Sequence, residues 1–360
     1  MTRKQTMLGG TSNADFAQIG IARDRIEPWE DGARTDGRPG TYEWWYVDAV
    51  LDDGSTLVVG FYNKEYSNTG GTLSPWIRIN LDMADGRRID KIAAFAPSEY
   101  SAAIDHADVR IGGNHFSGDL HTYYLHVMID DVEVDLTLVG HVPPWRPETG
   151  HLYFGEDRAR EFAWLPAVPQ GSATVTYRIG DETHNTSGIG YHDHNWGNIG
   201  LDKVIHHWYW ARGQAGPYSV IASNITSHQR YDYASTPVFM LARDGEIMAG
   251  DSSRTHFEAS EEYLDEATGK PVFASTCYTY DAGGESYVVT FTRQRDLSRD
   301  FLIDTLSGVK KFAARLLRFD GAYLRFAGEM TVQYHRDGAM VEEFSSEAMW
   351  ELMYLGRTRR

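Results

Sequence analysis

The chain has 360 residues, 42% hydrophobic and 24% charged, a composition that excludes disordered and fibrous classes. Its 34 Lys and Arg against 51 Asp and Glu leave a net charge of −17, which repels phosphate, so no nucleic-acid partner and no stable membrane insertion is expected. One cysteine, Cys277, excludes a disulfide framework and any multi-cysteine metal centre; it reads as a small buried residue in a strand.

Residues 1–40 are polar and turn-rich and read as an arm packed on the body. The N-terminus starts basic but lacks an apolar run of signal-peptide length, and no segment reaches the length of a membrane span, so a cytoplasmic protein is expected. From residue 41 the pattern is β. TLVVGFYNK (56–64), WIRINLDM (76–83), YYLHVMID (123–130), VEVDLTLVG (132–140) and ATVTYRIG (173–180) alternate or are rich in β-branched and aromatic residues. The same holds for YSVIASNIT (218–226), VFMLARDG (238–245), YVVTFTRQ (287–294) and MTVQYHRDG (330–338). Asp-Gly pairs at 53–54, 85–86, 244–245, 320–321 and 337–338 mark hairpin turns, and Asp130–Asp131 marks another. PPWRPETG (143–150) and LPAVPQG (165–171) read as irregular. One helix is expected, GVKKFAARLLR (308–318), with Val309, Phe312, Ala313, Leu316 and Leu317 on its apolar face; a surface helix is the plain reading and a basic membrane contact the sharper one. This is an all-β chain of short strands and few short helices, a pattern of sandwiches or barrels. The spacing places an arm at 1–40 and two β domains at 41–203 and 204–360, the change following the WGN segment.

Three segments could carry chemistry. In EWWYVDA (43–49) two adjacent tryptophans point to opposite faces of a strand, so one plugs the core and the other lines a cavity or junction. Glu43 beside them is either an exposed or hydrogen-bonded strand-start residue or a desolvated carboxyl. In GIGYHDHNWGNIG (188–200), His192, His194 and Trp196 share one face, and Tyr191, Asp193 and Asn195 the other. Such a cluster suits proton transfer, and equally a buried hydrogen-bonded crossing. A His-x-His pair could also hold a metal, but the third ligand, His151, His206 or His207, cannot be placed, and no HExxH or EF-hand loop is present; no metal or other cofactor is expected. In IHHWYWARG (205–213), Ile205, His207, Tyr209 and Ala211 face one way, and His206, Trp208, Trp210 and Arg212 the other. The chain lacks a phosphate loop, a dinucleotide fingerprint and a G-x-S-x-G elbow, which argues against kinases, dehydrogenases and serine hydrolases. Its 46 aromatic residues can fill a β core or line an apolar cavity.

EWWYVDA, GIGYHDHNWGN and MWELMYLGR (349–357), in that order, resemble the carotenoid 1,2-hydratase family, also called hydroxyneurosporene synthase-like or AttH-like, which includes kievitone hydratases. The resemblance implies two consecutive lipocalin-like antiparallel β-barrels and a small hydrophobic metabolite as ligand. It implies cofactor-independent chemistry on an isoprenoid or polyene: acid-catalysed hydration, dehydration or isomerisation of a C=C bond. Alternatives are a Diels–Alderase-like pericyclase, since fungal proteins of this fold fold polyenes, and a binding protein without catalysis. Protonating an alkene needs an acid kept neutral by an apolar pocket, aromatic faces for the cation, and a group that orients water. On that reading Asp193 is the acid and Glu43 its competitor, while His192 or His194 orients the water. Trp45, Tyr46 and Trp196 form the walls, with Tyr191, Asn195, Trp208 and Trp210 also binding substrate. The alternation leaves open whether the Asp193 set or the His192–His194 set lines the enclosed, ring-walled cavity this chemistry asks for. The acidic balance also favours a smaller, more soluble substrate than a membrane-borne carotenoid.

Overall fold

A computed structural model of the chain describes residues 6–67, 69–302 and 321–358; the expected helix at 308–318 and Asp320 lie outside them. The chain divides into two compact units, one spanning Leu8–Gly200 and one that begins at Leu201. Each is a curled antiparallel half-barrel sheet, the lipocalin-like all-β architecture. Among the described residues no helix is long and apolar enough to cross a membrane.

The main sheet of the first unit runs, neighbour by neighbour, Arg88–Ala94, Trp76–Asp82, Thr56–Tyr62, Tyr42–Leu51, Glu182–Gly197, Glu161–Ile179, Val132–Gly140, Thr122–Ile129, Asn114–Gly118, Ala107–Ile111 and Tyr100–Ala102. The period-two pattern decides which face goes inward. In Trp76–Asp82, for example, Ile77, Ile79 and Leu81 are buried while Arg78, Asn80 and Asp82 are only partly covered. Each fully buried Ile or Leu contributes about 1.5–3 kcal/mol. The decisive pairing is non-local: Tyr42–Leu51 lies beside Glu182–Gly197, with His194 opposite Trp45 and Trp196 opposite Glu43. Two motifs some 150 residues apart thus become one surface.

Residues 165–171, expected to be irregular, lie inside the 19-residue strand Glu161–Ile179. The prolines break the ladder without ending it, because pairing slips at bulges between Pro166 and Val168 and between Val168 and Gly171. The arm carries a helix at Asn13–Ile19, capped by Ser12 and closed by left-handed Gly20, then a single 3-10 turn at Pro28–Asp31.

In the second unit the order is Glu246–Ala249, Ser235–Arg243, Tyr218–Ser227, Ile205–Ala215, Ala339–Tyr354, Ala322–Arg336, Glu285–Phe301, Pro271–Asp281 and Thr255–Leu264. IHHWYWARG and MWELMYLGR are neighbours here, with Trp210 opposite Glu351 and Ala211 opposite Trp350. Tyr209 and Ala211 enter the core with Phe239, Phe291, Phe326 and Trp350. Cys277 is half-buried rather than buried, and its sulfur accepts from the Thr290 hydroxyl.

Candidate active site

The Glu182–Gly197 strand carries two separate polar clusters, one on each face, because successive side chains alternate. The inner cluster joins His192 and His194 to two carboxylates. His192 Nδ1 lies 2.9 Å from the Tyr46 carbonyl, an obligate acceptor, so Nδ1 carries the hydrogen; Nε2 lies 3.2 Å from Asp31 Oδ2. His194 Nε2 lies 2.8 Å from Glu43 Oε1, and its Nδ1 faces Asp31 Oδ1 at 3.5 Å. Glu43 also accepts from the backbone N–H groups of Arg34 and Thr35, from the Thr35 hydroxyl and from the Asn63 amide. The Tyr123 hydroxyl donates to Asp31, and the Trp45 indole donates to the Asp31 carbonyl. His192, His194 and Glu43 are fully buried, and Asp31 is 1% exposed. This network pins the arm at 31–35 to the sheet. The imidazole of His194 is stacked on Trp45, with ring centroids 4.6 Å apart, and Trp196 packs on it at a tilt, 4.7 Å between centroids.

The outer cluster centres on Asp193. Its Oδ2 accepts from Trp164 Nε1 at 2.7 Å and from the Tyr191 hydroxyl at 2.8 Å, and its Oδ1 accepts from Asn195 Nδ2 at 2.7 Å. Three donors fill three of the roughly four lone-pair positions of a carboxylate, leaving one on Oδ1 for an acidic proton. Burial pushes the Asp193 carboxyl up to about 6, with the donors from Tyr191 and Trp164 and the nearby His192 holding it from rising further. Burial, reinforced by Asp193, raises Tyr191 well above its ordinary value, so its hydroxyl stays a donor.

Around Asp193 the same face is aromatic. Tyr46 stands directly opposite it, meets Tyr191 edge-on and donates to Asp48 at 3.1 Å. Trp44, opposite Asn195, is stacked with Tyr42 and Phe162 and packs against Tyr62 and Tyr66; Tyr62 in turn stacks on Trp76 at 3.8 Å. Trp44, Tyr46, Tyr62 and Trp76 are half-buried, so their rings offer apolar surface.

This geometry sorts the expected residues. Tyr46, Tyr191 and Asn195 share the face of Asp193. His192, His194 and Glu43 do not, and neither do the expected wall residues Trp45 and Trp196. Trp45 is the core plug, and Trp44 is the tryptophan on Asp193's side. Trp208 and Trp210 belong to the other unit, half-buried on the sheet face turned away from that unit's core. His151 bonds Glu161, while His206 and His207 lie in the second unit with their Nδ1 atoms 2.7 Å apart. Three of the four ring nitrogens of His192 and His194 are hydrogen-bonded to oxygens of the chain itself, while His194 Nδ1 faces Asp31 Oδ1 at 3.5 Å without a hydrogen bond. Sequence reasoning missed Trp164, Asp31, Asp48 and Trp44. Only Trp44 carried a local signal, the Trp-Trp pair.

Two open cavities, of about 400 and 460 Å³, occur elsewhere: one lined by Ser253, Arg254, His256 and Asp281, the other by Arg34, Thr35, Arg38 and Tyr100. The expectation of an enclosed, ring-walled cavity at Asp193 is met by neither.

Compared with known proteins, residues 37–292 match the family model described as Diels-Alderase-like. The chain belongs to the Diels-Alderase-like family. The quinolone epoxide rearrangement protein asqO of Emericella nidulans is 26% identical over 272 residues, 71% of this chain and 73% of the relative. Among solved structures, CghA with Sch210972 superposes with a TM-score of 0.61 at 15% identity, covering 98% of this chain and 99% of CghA. Kievitone hydratase from Nectria haematococca gives 0.55 at 12% identity over 93% and 94% of the two chains. These structures show the shared fold. The lipocalin-like fold expected from the three motifs is upheld, and the family match is Diels-Alderase-like rather than carotenoid hydratase. Relatives of this family are enzymes acting on small metabolites.

Proposed function

We propose that the chain is an isomerase or cyclase of secondary metabolism that rearranges a small, largely apolar, oxygen-bearing metabolite, with Asp193 as proton or hydrogen-bond donor. The observation that carries this reading is the buried Asp193 carboxyl, raised to about 6 and held by Trp164, Tyr191 and Asn195 on an aromatic face. The family assignment and the epoxide rearrangement named for asqO support it.

Opening an epoxide requires a proton on the ring oxygen as the C–O bond breaks, and the cation is then captured within the same molecule. Asp193 gives that proton and regains one when the new ring or carbonyl forms, so no atoms are gained or lost. In a pericyclic cyclisation the same O–H bonds a substrate carbonyl, and the aromatic face supplies orientation. Half-buried rings such as Trp44 and Tyr46, on the same face as Asp193, would stabilise developing positive charge on a substrate bound there. Hydration, the principal expectation from sequence, also needs a water held against the cation. The histidines expected to hold it, His192 and His194, are on the opposite face of the strand, which favours rearrangement.

The test is incubation of the purified chain with an epoxide-bearing quinolone and, separately, a linear polyene carrying a dienophile, followed by mass spectrometry. Rearrangement gives a product of unchanged mass with a new retention time, lost in Asp193→Asn. A product heavier by one water supports hydration instead. Binding of both compounds without conversion of either makes the chain a carrier and refutes the proposal.

A further inference from the structure

The first unit holds a second group of convergent donors on the solvent side of its sheet, separated from the strand of Asp193 by Glu161–Ile179. His126 and Asp135 are directly opposed across the ladder, with His126 Nδ1 2.8 Å from Asp135 Oδ1 and 4.0 Å from Glu133 Oε1. One atom from each of the three lies within 4.8 Å of the others. Arg178, opposite Glu133 on the next strand, bonds Glu133 Oε2 and so leaves Oε1 turned towards His126. On the other side of His126, directly across the ladder, stands His115, whose Nε2 is 2.9 Å from Asp108.

We propose that His126, Glu133 and Asp135 form a binding site for a divalent first-row transition ion, with Zn²⁺ the best fit. Zinc binds imidazole nitrogen and carboxylate oxygen at about 2.0–2.2 Å, so ligand atoms around it stand roughly 3–3.5 Å apart. The present separations of 2.8 and 4.0 Å bracket that range, and small side-chain rotations close it. The ion takes the place of the hydrogen now shared between His126 and Asp135. Arg178 plays the part of an outer partner that orients a carboxylate ligand. Because all three ligands sit on paired strands, the sheet fixes their spacing before the ion arrives. An imidazole in the set selects Zn²⁺, Ni²⁺ or Cu²⁺ over Mg²⁺ and Ca²⁺. The proposal is independent of the chemistry assigned to Asp193.

Equilibrium dialysis of the chelator-treated full-length chain against Zn²⁺ alone tests it, with Mg²⁺ and Ca²⁺ in parallel. The wild type retains one more Zn²⁺ per chain than His126→Ala, and the conservative Asp135→Asn binds at least about tenfold more weakly. Comparing the variants cancels zinc held by other surface histidines, and circular dichroism confirms that each is folded. Equal Zn²⁺ retention by wild type and both variants, or Mg²⁺ held as tightly as Zn²⁺, overturns the site.

Discussion

On the inner face of the Glu182–Gly197 strand, the ring nitrogens of His192 and His194 face oxygens of Asp31, Glu43 and the Tyr46 carbonyl in a fully buried core. On the outer face, one residue away, Asp193 takes three hydrogen bonds, two of them from the buried rings Trp164 and Tyr191, yet keeps an open position, and the half-buried Tyr46 stands opposite it. Both faces use carboxylates, a tyrosine and a tryptophan, and the histidines lie on the inner one. The difference is in what holds each group: the inner groups are bound to one another and to the arm and hold the fold, with the 3.5 Å contact of His194 Nδ1 and Asp31 Oδ1 falling short of a hydrogen bond, whereas the outer carboxyl is held by donors that leave it able to give a proton. Titratable residues are therefore sorted into structural and chemical roles here by which side of a strand they occupy.

Removing Glu43 should break the inner face most severely. Glu43→Ala strips the acceptor from His194, from two backbone N–H groups and from Thr35, and should cost about 3–5 kcal/mol in urea unfolding. Turnover per folded molecule should fall far less than stability. Asp193→Asn should do the reverse, with turnover down by about a hundredfold or more and, at about pH 4 where Asp193 is protonated, a urea midpoint close to wild type. Equal damage to stability in the two variants would erase the distinction between the faces.

The pH dependence of stability sharpens it. Asp193 has a folded pKa of about 6 against an ordinary 3.8, so between these values the folded chain binds more protons than the unfolded one. Its contribution is fully present below pH about 4 and is lost as pH rises through about 6, by at most roughly 3 kcal/mol. Asp193→Asn should lack that part of the slope in paired denaturation curves at pH 4 and pH 7. Trp164→Phe should have the smallest effect. It removes one donor that holds the Asp193 carboxyl down, moving the alkaline limb of the rate profile upward by up to about one pH unit, with a rate change within about tenfold.

Much of this arrangement could be read from the chain itself. The alternating runs became strands, and the Asp-Gly signals at 244–245 and 337–338 became two-residue hairpins in which both residues take positive φ. The separation of His192 and His194 from Asp193 followed from the period of a strand. Alternation also put Trp44 and Trp45 on opposite faces. It could not say which was inward, because that depends on the register with Glu182–Gly197, set far along the chain. Asp31 lies in a polar arm with no period, and nothing near it in sequence shows that it meets His192, 161 residues on. Trp164 sits beside prolines that read as loop residues, and its bond to Asp193 exists only because the bulged ladder continues past them.

The most direct test of the central claim is the pH–rate profile of the rearrangement in wild type and Asp193→Asn, measured on the same substrate. We expect the wild-type rate to be level at low pH and to fall above about pH 6, in step with loss of the Asp193 proton. The Asn variant should show only a low, pH-independent residual rate. A wild-type rate that rises through pH 6, or an Asn variant that keeps both the rate and the limb, would contradict the assignment of Asp193 as the donor.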